Sequence, residues 1–463
     1  MIDGLTPYTD HKDSGLPWLG EIPAHWDVRR NGRLFVQRNQ TGFPDLPILE
    51  VSLKTGVRVR DFENSNRKQV MADREKYKRA RQGDIAYNMM RMWQGAVGTS
   101  PVDGLVSPAY VVAKPLPKTE SRYYQYLFRT GAYMDEVNKF SRGIVSDRNR
   151  LYWEDFKQMP SPYPPPEEQA AIVRFLNHAD RRIRRYIRAK RQLIALLNEQ
   201  KQAIIHCAVT RGLDPHVKLK PSGVEWLGDV PEHWAVKKLR FNFRYAKGSK
   251  AAELTSEYVG RNEGPYPVYS GQTENEGLMG SVSWHEFDFE EPVILVTTVG
   301  ARAMSTRVLS GKFSLSQNCA IIIPRKSSIN VSFNEMAFQR MFAYEKATIS
   351  LIMQPSLRFA DLDRFYIPEP PPEEQTLIAK TVVAQIAELQ NVCDQANEQL
   401  SLAREFRTRL IADVVTGKLD VREAAAALPD ELEAVEPDAE ELLDDGDTTD
   451  EVELDTEPEE VEA

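Results

Sequence analysis

Side chains suited to reading DNA are concentrated in two stretches of the chain. Arg, Asn and Gln can read base edges, Lys and Arg can hold phosphates, and aromatic rings can stack on bases. Each residue taken alone is better explained as a solvated surface group, but the set favours nucleic acid. The candidates are Arg58, Arg60, Arg67, Lys68, Gln69, Tyr87, Asn88, Arg91 and Trp93 in the first half, and Tyr269, Ser270, Gln272, Thr273, Arg302, Gln317 and Asn318 in the second.

Motifs for catalysis are missing from the sequence. Gly311-Lys312 and Gly417-Lys418 lack the Ser or Thr and the upstream Gly of a phosphate-binding loop, and no GxGxxG follows an expected strand. The Asn/Asp-Pro-Pro-aromatic tetrad of an adenine methyltransferase does not occur. The three cysteines are far apart in the sequence, which argues against a zinc site and fits a reducing cytoplasm. We therefore expect a non-catalytic chain with no cofactor and no metal.

The overall charge hides two regions of opposite sign. The 463 residues carry a net charge of −9, but residues 430–463 hold 18 acidic residues and no Lys or Arg. The rest of the chain has 50 acidic residues against 59 bases, a net of +9. A basic body is compatible with a nucleic-acid partner. The tail is acidic, lacks aromatic residues and cannot bury a core, so it is predicted to be disordered. No apolar run is long enough to span a membrane, and the N-terminal residues show no signal-peptide pattern.

The ends of two sequence units repeat at an offset of 206–208 residues. SGLPWLGEIPAHWDVRR (14–30) corresponds to SGVEWLGDVPEHWAVKK (222–238), PPPEEQ occurs at 164–169 and 370–375, and AVTRGLD (208–214) corresponds to VVTGKLD (414–420). The interiors of the units hardly match. A solenoid would repeat every 20–50 residues, so the pattern indicates a duplicated domain.

Each unit is expected to combine a mixed α/β domain with one long helix. Residues 167–211 and 373–416 contain no Gly or Pro and follow a triple proline, which is typical of a helix start. Both helices show a sustained 4-3 apolar spacing, which predicts an antiparallel two-helix coiled coil; two separate amphipathic helices are the alternative. The expected seam is Ile172, Leu176, Ile183, Leu193, Leu197 and Ile204 against Val382, Ile386, Leu389, Leu400, Leu410 and Val414.

These elements predict a layout of two globular domains held apart by the helix pair. The first α/β domain is expected at 14–165 and its helix at 166–212, the second domain at 222–370 and its helix at 371–420, and the tail at 430–463. Short runs rich in Val, Ile and Tyr predict strands at 48–53, 83–89, 109–115, 290–300 and 319–324, and residues 121–137 and 333–344 are predicted to be helical.

The pattern resembles the specificity subunits of type I restriction-modification systems. The resemblance covers about residues 14–420 and rests on the paired WLGEIPAHW and WLGDVPEHW segments, the two PPPEEQ helix starts and the two helix ends. Residues 83–112 are also similar to one common type of target-recognition domain in that family. The acidic tail is not part of the family pattern.

The resemblance implies a fold, a function and partners. Each variable domain would read one half of a bipartite, asymmetric DNA site, and the helices would fix the gap. Two methyltransferase subunits carrying S-adenosylmethionine and the restriction subunits, driven by ATP and Mg²⁺, would assemble with a cytoplasmic, non-catalytic chain. An enzyme reading, a self-contained DNA methyltransferase or nuclease with a recognition half, remains the alternative. A third is a coiled-coil adaptor with no role on DNA.

Overall fold

The chain contains two long helices. The computed structural model describes residues 5–60, 74–143, 149–271, 277–300, 302–348 and 355–429. Helix α4 spans Pro166–Arg211 and helix α9 spans Pro372–Val415. Both begin at the third proline of a PPPEEQ motif, with two glutamates in the first turn, where a fixed φ and negative charge favour helix initiation. The runs without Gly or Pro, 167–211 and 373–416, thus match the two helices to within one residue at each end, whereas α9 ends five residues before the predicted boundary at 420.

The chain divides into two compact units, and each long helix contributes one part to each of them. Unit 1 contains residues 1–188 and 400–463, and unit 2 contains residues 189–399. This division differs from the sequential layout expected from the sequence, because the end of α9 packs with the N-terminal domain and the end of α4 with the second. In the parts of the chain that the structure describes, no helix is long and apolar enough to cross a membrane.

Unit 1 is built on a four-stranded antiparallel sheet with the order β4-β11-β8-β9. Two-stranded pairs β1-β2, β3-β12, β5-β6 and β7-β10 surround it. Its strands are β1 (His11–Asp13), β2 (Glu21–Pro23), β3 (Asp27–Arg30), β4 (Phe35–Gln37), β5 (Leu49–Ser52), β6 (Gly56–Val59), β7 (Lys78–Ala80), β8 (Ile85–Asn88), β9 (Val97–Thr99), β10 (Gly104–Val106), β11 (Tyr110–Pro115) and β12 (Pro160–Tyr163).

The helices of unit 1 before α4 are α1 (Ser121–Phe128), α2 (Gly131–Phe140) and α3 (Trp153–Phe156), and α10 (Arg422–Ala426) follows α9. The single helix predicted over 121–137 is therefore interrupted. Thr130 is extended, and its hydroxyl accepts a hydrogen bond from the Tyr133 N–H, so that it caps a new helix. An N-cap Thr satisfies one of the amides that the first turn leaves unpaired.

Unit 2 contains a six-stranded sheet with the order β16-β21-β19-β20-β17-β18, antiparallel except between β17 and β20. Two-stranded pairs β13-β14 and β15-β22 accompany it. Its elements are β13 (Leu219–Pro221), β14 (Asp229–Pro231), β15 (Ala235–Lys238), α5 (Leu239–Asn242), β16 (Phe243–Ala246), α6 (Ser256–Arg261), β17 (Tyr266–Tyr269), β18 (Leu278–Val282), β19 (Phe287–Thr297), β20 (Thr306–Leu315), β21 (Cys319–Pro324), α7 (Val331–Thr348), α8 (Phe359–Leu362) and β22 (Tyr366–Glu369).

The interiors of the two units share a plan that their sequences hardly reveal. The order β4-β11-β8-β9 in unit 1 has the counterpart β16-β21-β19-β20 in unit 2. The central strands β8 (IAYN) and β21 (CAIIIP) are buried along almost all of their length. Many different apolar residues satisfy the same buried strand, so a sheet plan can survive when sequence identity is lost.

Within each unit, the repeated His-Trp motif contacts the repeated PPPEEQ motif. In unit 1 the Glu168 carboxylate accepts hydrogen bonds from Trp26 Nε1 (3.0 Å) and Tyr8 Oη and lies 2.7 Å from His25 Nε2. In unit 2 Glu374 has the same relation to Trp234 Nε1 (3.0 Å) and a histidine. The His-Trp pairs and the PPPEEQ motifs therefore repeat together because they fasten each domain to the start of its helix.

The ends of the long helices complete these contacts within each unit. Gly417, after α9, lies against Trp26 in unit 1, where an added Cβ would stand 3.0 Å from the indole ring. Gly212, after α4, lies against Trp234 in unit 2, where the corresponding distance is 3.3 Å. Both glycines have positive φ, 81° and 76°, and follow the last turn of their helices, the position at which glycine commonly ends a helix.

The apolar stripe of α9 follows the predicted 4-3 positions along its length. Val382, Leu400, Leu410 and Val414 are buried, and Ile386 and Leu389 are half-buried. In unit 1, Arg407 of α9 pairs with Asp180 of α4, and in unit 2 Lys201 Nζ of α4 donates to Gln390 of α9 at 2.8 Å.

The predicted stripe of α4 shifts by one residue after Ile183. Ile172 and Leu176 are buried and Leu197 and Ile204 are half-buried, but Leu193 is 37% exposed and its place is taken by the less exposed Ile194. An α-helix has 3.6 residues per turn, so a strict 4-3 repeat drifts by about 20° per heptad, and one extra spacing of four restores the face. The Leu193 seam prediction is thus wrong by one position.

Candidate nucleic-acid interface

A loop leaves the same strand of the sheet in both units. In unit 1, β8 leads into residues 89–94, and the Leu151 N–H donates to the Met89 carbonyl at 2.9 Å. In unit 2, β19 leads into a loop described at residues 298–300 and 302–305, and the Leu357 N–H donates to the Thr298 carbonyl at 2.8 Å. The second contact repeats the first, so the two loops occupy equivalent positions on their sheets.

The loop of unit 2 gathers most of the candidate residues that the structure describes there. The Thr298 N–H donates to the Asn318 carbonyl at 2.8 Å, and the Ser316 N–H donates to the Tyr269 carbonyl at 2.9 Å. The Arg302 carbonyl accepts hydrogen bonds from the hydroxyls of Thr297 and Ser305. These contacts bring residues 269–270, 297–300, 302–305 and 316–318 into one neighbourhood.

The side chains in this neighbourhood differ in accessibility. Arg302, Gln317 and Asn318 are exposed, Tyr269 is half-buried and Ser270 is buried. An exposed guanidinium and two exposed carboxamides can donate to and accept from base edges, which is the chemistry of direct readout. The Ser270 side chain is too enclosed to share in that surface without a local rearrangement.

The loop of unit 1 is held in a tight turn by its own polar groups. Asn88 Oδ1 accepts from the Met90 N–H at 2.9 Å, and Trp93 Nε1 donates to the Met90 carbonyl at 2.9 Å. The turn closes at Gly95, whose φ of 90° is in the region that favours glycine. Asn88 is buried and shapes the loop, while Arg91 and Trp93 are half-buried and reach its surface.

Tyr87 does not belong to the loop surface. It is fully buried in the core, with its ring 5.0 Å from the ring of Phe156, and burial raises the pKa of its hydroxyl. The expectation that it stacks on a base is wrong for this structure. In the GDIAYNM run, strand alternation could not decide the direction of Tyr87 because all four residues of β8 are buried.

The remaining candidates of unit 1 lie elsewhere. Arg58 is on β6, in the hairpin with β5, where it pairs across the strands with Glu50. Arg60 follows the same strand and is half-buried. Five other predicted positions lie outside the described residues: Arg67, Lys68, Gln69, Gln272 and Thr273.

Two residues near the loops were not predicted from the sequence. The Thr298 hydroxyl is buried and has no hydrogen-bond partner among the described residues. Arg150 is exposed and directly precedes Leu151, whose N–H is bound to the Met89 loop. The run TTVG after a strand could have drawn attention to Thr298, whereas nothing in the sequence connects Arg150 with residue 89.

The loops offer hydrogen-bond donors and acceptors and no metal-binding cluster. Across residues 5–60, 74–143, 149–271, 277–300, 302–348 and 355–429, no group of three or more His, Cys, Asp or Glu could hold a metal ion. The local arrangement is thus suited to non-covalent recognition of a polar, anionic ligand.

Comparison with known proteins gives matches to one family. Residues 231–398 match the type I restriction modification DNA specificity domain. A Methanocaldococcus jannaschii protein named as the MjaX specificity subunit is 24% identical over 431 residues, covering 87% of this chain and 96% of that protein. A Mycoplasma pneumoniae protein named as a type I specificity subunit is 27% identical over 162 residues, 35% of this chain and 50% of that protein.

A second Mycoplasma pneumoniae protein of the same description is 32% identical over 126 residues, 27% of this chain. The aligned segments thus span half and a third of the length of these two Mycoplasma relatives. A solved chain from work on complex assembly and conformational transition of the type I restriction-modification system has a TM-score of 0.63 at 16% identity, covering 85% of this chain and 98% of that chain, which shows a shared fold. The domain match over residues 231–398, the nearly full-length alignment and the common fold all indicate a type I restriction-modification specificity subunit.

Proposed function

We propose that this chain is the DNA-recognition subunit of a type I restriction-modification complex and that each unit reads one half of a bipartite, asymmetric site. The observation that carries the proposal is the pair of loops after β8 and β19, which leave equivalent strands but differ in sequence. One scaffold presenting two different sets of side chains suits the reading of two different half-sites.

The two long helices are proposed to pair as an antiparallel coiled coil that sets the gap between the half-sites. The contacts within each unit support this pairing. Asp180 of α4 meets Arg407 of α9, and Lys201 of α4 meets Gln390 of α9, so residue numbers fall along α9 as they rise along α4. The continuous stripe of α9 gives further support.

The chain is proposed to act without catalysis of its own, in the cytoplasm. Two methyltransferase subunits would supply S-adenosylmethionine chemistry, and restriction subunits would supply ATP- and Mg²⁺-dependent cleavage. Exposed apolar side chains on α9 support docking of partner subunits along the helix, because such groups are favourable contacts when another protein covers them. They include Leu377, 58% exposed, and Leu402, 57% exposed, with Val383 and Phe406.

Reconstitution with the methyltransferase subunits of the same host tests the proposal. The complex should methylate adenine in one bipartite DNA motif, and the host methylome should lose that motif when the gene for this chain is deleted. The purified chain alone should transfer no methyl group from S-adenosylmethionine. Methyl transfer by the chain alone, or an unchanged methylome after deletion, would contradict the assignment.

A further inference from the structure

Helix α4 carries a row of arginines on the face opposite its buried stripe. Arg174, Arg181, Arg185 and Arg188 are separated by seven, four and three residues. At about 100° per residue they fall within roughly 60° of one another, and the row is roughly 21 Å long. The buried Leu176 lies about half a turn away from the row, while Arg174, Arg185 and Arg188 are exposed. We call these four residues the arginine row.

The surface around the arginine row is strongly basic. Residues 174–188 contain six arginines and a single acid, Asp180, which already pairs with Arg184 and with Arg407 of α9. The corresponding residues of α9, 380–394, contain one base and two acids. The basic stretch is therefore not part of the duplicated plan, and some other feature of this chain accounts for it.

The last described residues before the acidic tail contact the first residue of the arginine row. Nη2 of Arg174 donates a hydrogen bond to the Leu428 carbonyl at 2.5 Å, two residues before the tail starts at Asp430. The 34 tail residues contain 18 acids and no base. Thirty-four residues can reach at most about 110 Å when extended, which exceeds the length of the row.

We propose that the acidic tail, residues 430–463, docks along the arginine row of its own chain and acts there as an internal counter-charge. Single exposed ion pairs are weak, but a tethered tail offers many carboxylates to a few closely spaced guanidinium groups at a high effective concentration. The docked tail is displaced by salt and by polyphosphate ligands, because both compete for the same charges. Under the proposed function, the tail weakens non-specific DNA binding, and a DNA duplex that gains other contacts displaces it.

Arginine footprinting of the full chain tests the docking without relying on DNA. Phenylglyoxal modifies accessible arginines, and mass spectrometry gives the rate at each one. In low salt, the arginine row should react roughly five-fold more slowly in the native chain than in a chain whose tail Asp and Glu are replaced by Asn and Gln. At 1 M salt, where the screening length is about 3 Å, the rates should become equal. The exposed Arg261 of unit 2 should react equally in both chains. Equal rates for the row at low salt would overturn the proposal.

A double-variant cycle tests the consequence for DNA, which rests on the proposed function. Neutralising the tail should raise affinity for a duplex of unrelated sequence roughly ten-fold in low salt when the row is intact, and less than about two-fold when Arg181, Arg185 and Arg188 are replaced by Gln. A control chain with Arg240, Arg261 and Arg364 replaced by Gln should keep the ten-fold gain.

The outcomes of the cycle separate the two proposals. The same gain with and without the row would place the tail on another surface and overturn this inference. If none of the chains bound DNA, the proposed function would fail, while row protection in the footprinting experiment would still support docking of the tail.

Discussion

The duplicated carboxylates at the helix starts allow one substitution to be compared with its own counterpart. Glu168 of unit 1 is 5% exposed and meets Tyr8, His25 and Trp26, whereas Glu374 of unit 2 is 28% exposed and meets only a histidine and a tryptophan among the described residues. We therefore expect Glu168→Ala to destabilise its unit more than Glu374→Ala destabilises the other.

The magnitudes follow from the bonds that are lost. A hydrogen bond to a charged group contributes about 1.5 kcal/mol or more when it is buried and less when it is exposed. Three bonds in an enclosed site give a loss of about 4 kcal/mol for Glu168→Ala, including the buried Trp26 N–H left without its acceptor. Two bonds in a more open site give about 2 kcal/mol for Glu374→Ala.

Exposed glutamates in the same helical turns provide matched controls. Glu167→Ala and Glu373→Ala also remove a negative charge from the helix start, and the structure places both residues at the surface. Each control should lose only about 0.3–1 kcal/mol, the usual effect of a charge on the helix dipole. The difference between each variant and its neighbour isolates the hydrogen bonds from the charge.

Hydrogen exchange with mass spectrometry can follow the two units separately, which a single unfolding midpoint of a two-unit protein cannot do. Peptides around Trp26 report unit 1, and peptides around Trp234 report unit 2. Protection should fall around Trp26 in Glu168→Ala and around Trp234 in Glu374→Ala. An equal or larger loss in Glu374→Ala, or a loss in Glu168→Ala no greater than in Glu167→Ala, would refute the reasoning.

Three further predictions concern the gap, the reading loop and a buried acid. Four residues inserted after Leu197 add about 6 Å and roughly 40° to α4. One base pair adds ~3.4 Å and ~36°, so methylome sequencing should show a gap longer by one or two pairs with both half-sites unchanged; an active variant with the old gap would contradict this. Arg302→Ala should lower the discrimination between bases at one position of one half-site by about 1–3 kcal/mol in a methylation competition assay, whereas Arg261→Ala should change neither half. An unchanged motif in Arg302→Ala would show that Arg302 does not read a base. Burial raises the pKa of Glu335 despite hydrogen bonds from Thr306 and Gln339, so the folded state binds the proton more tightly and the contribution of this group to stability falls as pH rises above 4.5. Glu335→Gln should therefore stabilise unit 2 at pH 7 and lose that gain at pH 4, measured by hydrogen exchange of unit 2 peptides along a urea titration; a loss of stability at pH 7 would show that the charge itself is needed.

Local sequence signals were sufficient for the long helices and several strands. The PPPEEQ starts and the absence of Gly and Pro placed α4 and α9 almost to the residue, because the helix-start signals and the long helical run are local. The stripe of α9 was predicted from spacing alone. The predicted stripe of α4 was off by one position at Leu193. Apolar residues occupy adjacent positions at 193–194 and 196–197, so spacing could not choose between them.

The candidate site was harder to predict because it depends on contacts between distant residues. Arg302 and Asn318 come together through the turn at Thr297 and the start of β21. Arg150 reaches its loop through one hydrogen bond of Leu151. Tyr87 has the residue type of a base-stacking group, but a fully buried strand removes the alternation that would reveal its direction. Residue type indicated the ligand class, and tertiary structure decided which side chains are accessible.

The most direct test of the central claim exchanges one reader and records the target. Residues 31–160 would be replaced by the equivalent segment of another type I specificity subunit with a known bipartite motif, and the chimera would be expressed with the methyltransferase subunits in a host without other type I systems. Methylome sequencing should show one half-site replaced by the donor's half-site, with the other half and the gap unchanged. A change in both halves, or methylation of the original motif by the chimera, would contradict the account of two independent readers.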